Sequence, residues 1–187
     1  ICTPLSVIYT KCMEEGAVPQ EWKTANVAPI FKKGSKSVAG NYGPVSLTCV
    51  LCKVMEMIIC DAIAEHLKEY DLIRRSQHGF MRGRSTLTNL LSYLEELTKL
   101  LDEGHPLDVV YLDFSKAFDK VPIRRLLNKC GGLGIQGNLL TWIEEWLVGR
   151  KQRVVLNGEA SSWGDICSGM VQGSYLGPTL FIMFINE

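Results

Sequence analysis

The chain carries no net charge: 20 Lys and Arg balance 20 Asp and Glu over 187 residues. A polyanionic partner must therefore be met by local basic clusters and not by a global field. No run of about 18 apolar residues is present, so no membrane-spanning helix and no membrane partner are expected. There is no basic leader followed by an apolar run and a cleavage site. Cys49 and Cys52 form one C-x-x-C, but it lacks a second pair and any histidine at ligand spacing, which argues against zinc. The chain has seven cysteines, an odd count, and the C-x-x-C pair reads as small buried thiols in a reducing compartment. The chain opens on Ile1 without a methionine and closes on Asn186-Glu187 inside an apolar segment, so a piece of a longer reading frame is expected. At 47% hydrophobic it is not mainly disordered, and its length suits one core or two subdomains sharing one.

The most informative stretch is 107–122, Leu-Asp-Val-Val-Tyr-Leu-Asp-Phe-Ser-Lys-Ala-Phe-Asp-Lys-Val-Pro. Val109 to Leu112 are β-branched, aromatic and aliphatic, which predicts a short buried strand. It ends on Asp113, a carboxylate that needs a cation, a hydrogen-bond network or a metal beside it if buried. By residue type alone, Asp113 as a turn cap is an equal reading. Ser115 is available to cap a short helix after it.

The whole string resembles the first catalytic motif of reverse transcriptases, in the form used by non-LTR, LINE-type (jockey-like) retrotransposons. Ser168-Gly-Met-Val-Gln-Gly-Ser-Tyr-Leu-Gly-Pro178 resembles the same family's second palm motif. The likeness continues through Asn26 to Gly34, Asn41 to Leu47 and Ser76 to Phe80, and so covers about Val18 to Glu187.

Read in order, 3–15 has helical spacing with Gly16 as its stop. Trp22 is a packing anchor, and 25–31 is a strand in which Pro29 suggests an edge or a bulge. Apolar positions from Leu47 to Leu67, Val50, Leu51, Val54 and Ile58 among them, predict a long amphipathic helix over 46–70. Arg74, Arg75, His78, Arg82 and Arg84 surround Phe80, a mix that by residue type favours a charged loop between helices, while the resemblance at Gln77 to Phe80 favours a single-stranded nucleic-acid groove. Ser85 or Thr86 caps a helix whose leucines, from Leu87 to Leu101, fall on one face expected to pack on the palm. Helices follow over 123–130 and 138–147. Arg150 to Gly158 is a strand ending in an Asn-Gly turn, with a return strand near Trp163 to Cys167. The basic start of that strand could equally touch a backbone phosphate or lie solvated. A final helix carries Pro178 in its first turn.

The resemblance implies an α/β (α+β) fold: right-hand fingers and a partial palm, mixed helices with a mostly antiparallel sheet. Residues 1–106 and about 122–166 would be fingers-like, 107–121 and 167–187 palm-like, with the thumb and the rest of the palm absent. It implies nucleotidyl transfer from a dNTP to a primer 3′-hydroxyl on an RNA template, in a parent polypeptide that also holds an endonuclease domain. Asp113 would be catalytic and, with the Phe114 carbonyl, would bind one of two Mg2+ ions. Phe118 would wall the sugar and exclude a 2′-hydroxyl, which disfavours an RNA-dependent RNA polymerase. Phe114, Gln172, Gly173, Lys32 and Lys33 would contact nucleotide, and Arg82 and Arg84 nucleic acid. Asp119 would be structural. The family's remaining catalytic carboxylates lie in an aromatic-Ala-Asp-Asp box, which occurs nowhere in 1–187, so the isolated chain is expected not to polymerise. Three departures stand out: Gly43 where the family has a triphosphate-holding arginine, Ile123 for histidine, and Val171 for proline. They leave open a non-catalytic nucleic-acid-binding remnant.

Overall fold

A computed structural model describes residues 2–186. The described residues form six α-helices and five strands: α1 (Cys2–Glu15), β1 (Thr24–Phe31), β2 (Tyr42–Leu47), α2 (Val50–Glu69), α3 (Thr86–Asp102), α4 (Ile123–Gly132), α5 (Gly137–Leu147), β3 (Arg150–Leu156), β4 (Glu159–Ala160), β5 (Gly164–Ile166) and α6 (Leu176–Ile185). This is the expected mixed α/β architecture. The sheet runs β2-β1-β3-β4, with β5 also on β3. All pairings are antiparallel except β1 with β3.

Strand β1 pairs with β3 only over Thr24 to Val27, so its second half is an edge. Pro29 sits in that half, opposite Pro44 on β2, where a missing N–H leaves no broken ladder on the open side. The Asn157-Gly158 turn has φ of 51° and 87°, the doubly positive backbone of a tight hairpin. The return strand is split into β4 and β5. Helix α3 starts with a full capping box: Ser85 Oγ accepts from Thr88 N, and Thr88 Oγ1 accepts from Ser85 N at 2.9 Å.

The core gathers α1, α2, α4, α5 and α6. Trp142, Trp146, Leu126, Ile143, Leu176, Leu180 and Met183 are fully buried, and Trp22 and Ile63 nearly so. Large aromatic and branched side chains supply most of the buried apolar area, at roughly 25 cal/mol per Å2.

Two expectations fail. Residues 107–114 form no strand and are not buried: Leu112 is 89% and Tyr111 80% exposed. Among the described residues no strand pairs with them, and an apolar run without ladder partners cannot hold a sheet conformation. The Tyr111 hydroxyl hydrogen-bonds that of Tyr93 at 2.7 Å, which ties the segment to α3. The leucine face of α3 is likewise open: none of its residues is buried, and Leu87, Leu90, Leu91 and Leu101 are each more than half exposed.

Candidate functional site

Two stretches far apart in sequence close on each other. The backbone after Asp113 makes a turn at Lys116 (φ 54°) and a short 3-10 helix over Phe118–Lys120. Ser115 does not cap it; the N-cap position is Ala117, with no side-chain hydrogen bond. Met170 N donates to Phe118 O (2.9 Å), Gly169 N to Val121 O (3.1 Å) and Ser168 Oγ to Asp119 O (3.2 Å). Gly169 has φ +85°, and a Cβ there would stand 2.7 Å from the Asp119 carbonyl oxygen, so only glycine permits this approach. The Gln172 side-chain amide donates to Asp119 Oδ1 at 2.8 Å. Asp119 is thus a hydrogen-bonding residue, as its sequence position suggested.

The loop Val171–Tyr175 is braced from three sides. Ser46 N donates to Gln172 O at 2.9 Å, which fixes the loop to β2. Gly173 (φ +96°) leaves room for the Ser46 carbonyl, which a Cβ would meet at 2.9 Å. Ser174 Oγ donates to Val171 O (2.8 Å) and accepts from Gly177 N (3.0 Å). Under the loop, buried Glu56 of α2 accepts from Tyr175 N (2.8 Å) and Leu176 N (3.3 Å) at the start of α6. Sequence reasoning missed Glu56, because a charged residue in an amphipathic helix is ordinarily placed on the solvent face.

This bracing leaves an open cavity of ≈ 310 Å3 lined by Phe80, Lys116, Phe118, Gln172, Gly173 and Pro178 among others. Phe118 is held flat against Phe181 (centroids 4.4 Å apart, 19° between planes) and edge-on to Phe80 (5.8 Å). Such pairing fixes the ring as a rigid wall. A second cavity of ≈ 580 Å3 adjoins it across Val171 and Gln172, bounded by β1, β3 and the Ser161–Ser168 segment. On its side Arg153 donates to Asn26 Oδ1 (2.8 Å) and stacks over Trp163 (4.6 Å).

The remaining sequence-derived residues fall as follows. Asp113 and Phe114 are exposed and do not line either cavity. Lys32 and Lys33 follow the end of β1 and are exposed, and the Lys32 side chain lies across Gly43, in the space a Cβ there would need. Arg82 is exposed. Arg84 is turned inward, donating to the carbonyls of Arg75 and Gln77, so its guanidinium organises its own loop. Arg150, at the basic start of β3, is buried and donates to the carbonyls of Trp146 (2.8 Å) and Trp22 (3.3 Å). It is not free to meet a phosphate. Burial pushes its pKa down, against the opposing effect of Cys52 and Glu56.

The residues present supply at most part of a donor set for a divalent ion. Among the described residues no group of three or more His, Cys, Asp or Glu comes together, and Asp119 is already committed to Gln172. Nor is any helix of the described residues long and apolar enough to cross a membrane.

The family described as reverse transcriptase (RNA-dependent DNA polymerase) matches residues 30–187. The chain is 27% identical over 187 residues to the probable RNA-directed DNA polymerase from transposon BS of Drosophila melanogaster, and 30% identical over 184 residues to the RNA-directed DNA polymerase from mobile element jockey of Drosophila funebris. Each likeness covers 98% of this chain and 20% of the relative. A third, the Pol polyprotein from type-1 retrotransposable element R2 of Popillia japonica, is 26% identical over 92% of this chain and 24% of its own length. The chain thus spans about a fifth of the length of these curated relatives.

Proposed function

Because the chain belongs to the reverse transcriptase family, we propose that it forms the nucleotide-binding part of an RNA-directed DNA polymerase from a non-LTR retrotransposon. The observation that carries this reading is the cavity itself. Phe118, Gln172 and Gly173, drawn from two separate motifs, line one open cavity with an aromatic wall and a glycine that admits close backbone approach. A nucleotide's base and sugar suit such a surface, flat and apolar on one side and amide-bearing on the other.

In this reading residues 1–106 and 122–166 are fingers-like, and 107–121 and 167–187 palm-like. An RNA template, a DNA primer and dNTPs are the substrates, and the parent polypeptide carries an endonuclease domain. Lys32 and Lys33 lie beyond the end of β1 as candidate phosphate contacts. Lys116, on the cavity rim, is a cation the sequence reading did not single out. Arg82 stays available to nucleic acid, whereas Arg84 contributes through loop shape. Asp113 and the Phe114 carbonyl would offer oxygen donors to Mg2+, with further carboxylates required from outside residues 1–187. No chemical step is assigned to that ion.

The non-catalytic remnant is favoured by one observation: Asp113 is exposed, with no ligand cluster around it among the described residues. The two readings separate in a primer-extension assay on an RNA template with the complete polypeptide that carries these residues. Template-directed extension that Asp113→Asn abolishes supports the polymerase. Salt-sensitive RNA binding without extension, unchanged in Asp113→Asn, supports the remnant.

A further inference from the structure

Glu56 has no solvent exposure, yet places a carboxyl group in the middle of the core. Burying a carboxyl group is costly unless its oxygens are fully occupied by hydrogen-bond partners. They are. Oε1 accepts from Trp146 Nε1 (3.2 Å) on α5 and from Cys52 Sγ (3.3 Å) one turn earlier on α2. Oε2 accepts from the backbone N–H groups of Tyr175 (2.8 Å) and Leu176 (3.3 Å). The last two are orphan donors at the start of α6, where a carboxylate also meets the positive end of the helix dipole. Gly173 and Gln172, two and three positions before Tyr175, line the cavity.

We propose that Glu56 is a positioning residue that sets the height and tilt of the Gln172–Tyr175 loop, and through it the shape of the nucleotide cavity. It never touches the cavity. It acts because one carboxylate is shared between Trp146 on α5 and the junction of loop and helix. A smaller or neutral group cannot serve both. In Glu56→Gln one end of the amide is a donor, so it faces either Trp146 Nε1–H or the α6 N–H groups, donor against donor. A plain core role would need only volume. The four-donor arrangement instead ties loop geometry to this one side chain.

The inference rests on the nucleotide reading of the cavity for its functional consequence, but not for its structural core. Two measurements keep these apart. First, amide hydrogen exchange on the complete polypeptide compares wild type, Glu56→Gln and Tyr175→Pro. Tyr175 is 54% exposed with φ −79°, so proline fits its backbone while deleting the shorter contact from the loop side. Glu56→Gln is expected to speed exchange at Tyr175 and Leu176 by about tenfold or more, and Tyr175→Pro to do the same at Leu176. Unchanged exchange in both overturns the proposal, whatever the activity. Should Glu56→Gln not fold, Tyr175→Pro alone decides.

Second, in the complete polypeptide both variants are expected to raise the dNTP KM about tenfold while template–primer affinity stays put. The double variant should be no worse than the worse single one, since both cut the same link. A lowered Tm with nucleotide KM unmoved would make Glu56 merely structural and overturn the functional half. Failure of the wild type to bind or use nucleotide at all would instead count against the cavity assignment, leaving the exchange result to judge Glu56.

Discussion

The Gln172 side-chain amide donates to Asp119 Oδ1 at 2.8 Å, across 53 positions of sequence. One motif thereby orients the polar wall of a cavity whose aromatic wall, Phe118, is the residue next to Asp119. Removing the acceptor should let the amide swing. For Asp119→Ala in the complete polypeptide we expect a dNTP KM about 3–10-fold higher, equivalent to ~1 kcal/mol for an exposed hydrogen bond. Asp119→Asn keeps an oxygen acceptor and should retain most of the affinity. Steady-state kinetics on both variants check this; equal loss in the two would mean that charge, not orientation, is at work.

Gly43 offers a restoration experiment. Lys32 lies where a residue-43 side chain would go, but it is the flexible end of a lysine and can move at little cost. Gly43→Arg should displace it and add a bidentate, charge-assisted phosphate contact. The dNTP constant is expected to fall by about one to two orders of magnitude, as a hydrogen bond to a charged group contributes roughly 1.5–3 kcal/mol. A nucleotide titration that shows no change would contradict the idea that Gly43 weakens nucleotide binding.

Alkaline pH should expose the buried thiols. Cys130 is fully buried, and desolvation raises its thiol pKa to about 11; Cys60 is raised to about 11 chiefly by the same cause. In the unfolded chain these thiols ionise near their ordinary value of about 8.5. Their folded pKa lies above the unfolded one, so the contribution is intact below about pH 8.5 and is lost as pH climbs through about 11. Tm measured from pH 8 to 11 should fall, and Cys130→Ala should flatten that fall while lowering Tm at neutral pH. Thiol labelling at pH 8 should reach the exposed Cys2 and Cys167 first.

What could be read from sequence was mostly local. Gly16, the Asn157-Gly158 turn, the Ser85 cap and the tryptophan face of α5 act through their own neighbours, and each is found where expected. Helix α2 shows where local reading stops. Its apolar spacing rightly included Met55, Ile63 and Leu67, which are buried, but also Val50, Leu51, Val54 and Ile58, which are exposed, and it left out Cys52, Glu56 and Ile59 of the buried stripe. A glutamate in that stripe disguised its phase, and three of the four donors that make its burial tolerable come from α5 and the start of α6, far along the chain. The parallel pairing of β1 with β3 is equally invisible locally. Segment 107–114 has the residues of a buried strand but no ladder partner among the described residues, so composition alone misled.

Phe118 is where the account is most exposed to test. Its ring, clamped between Phe181 and Phe80, is the only feature of the cavity assigned to reject a 2′-hydroxyl. The measurement is the ratio of dNTP to NTP incorporation by the complete polypeptide, wild type against Phe118→Val. We predict that the variant incorporates ribonucleotides with discrimination reduced by one to two orders of magnitude, roughly 1–3 kcal/mol for a change in pocket volume, at similar dNTP efficiency. An unchanged ratio, with the variant folded and active, would contradict the placing of the sugar against Phe118 and with it the nucleotide cavity.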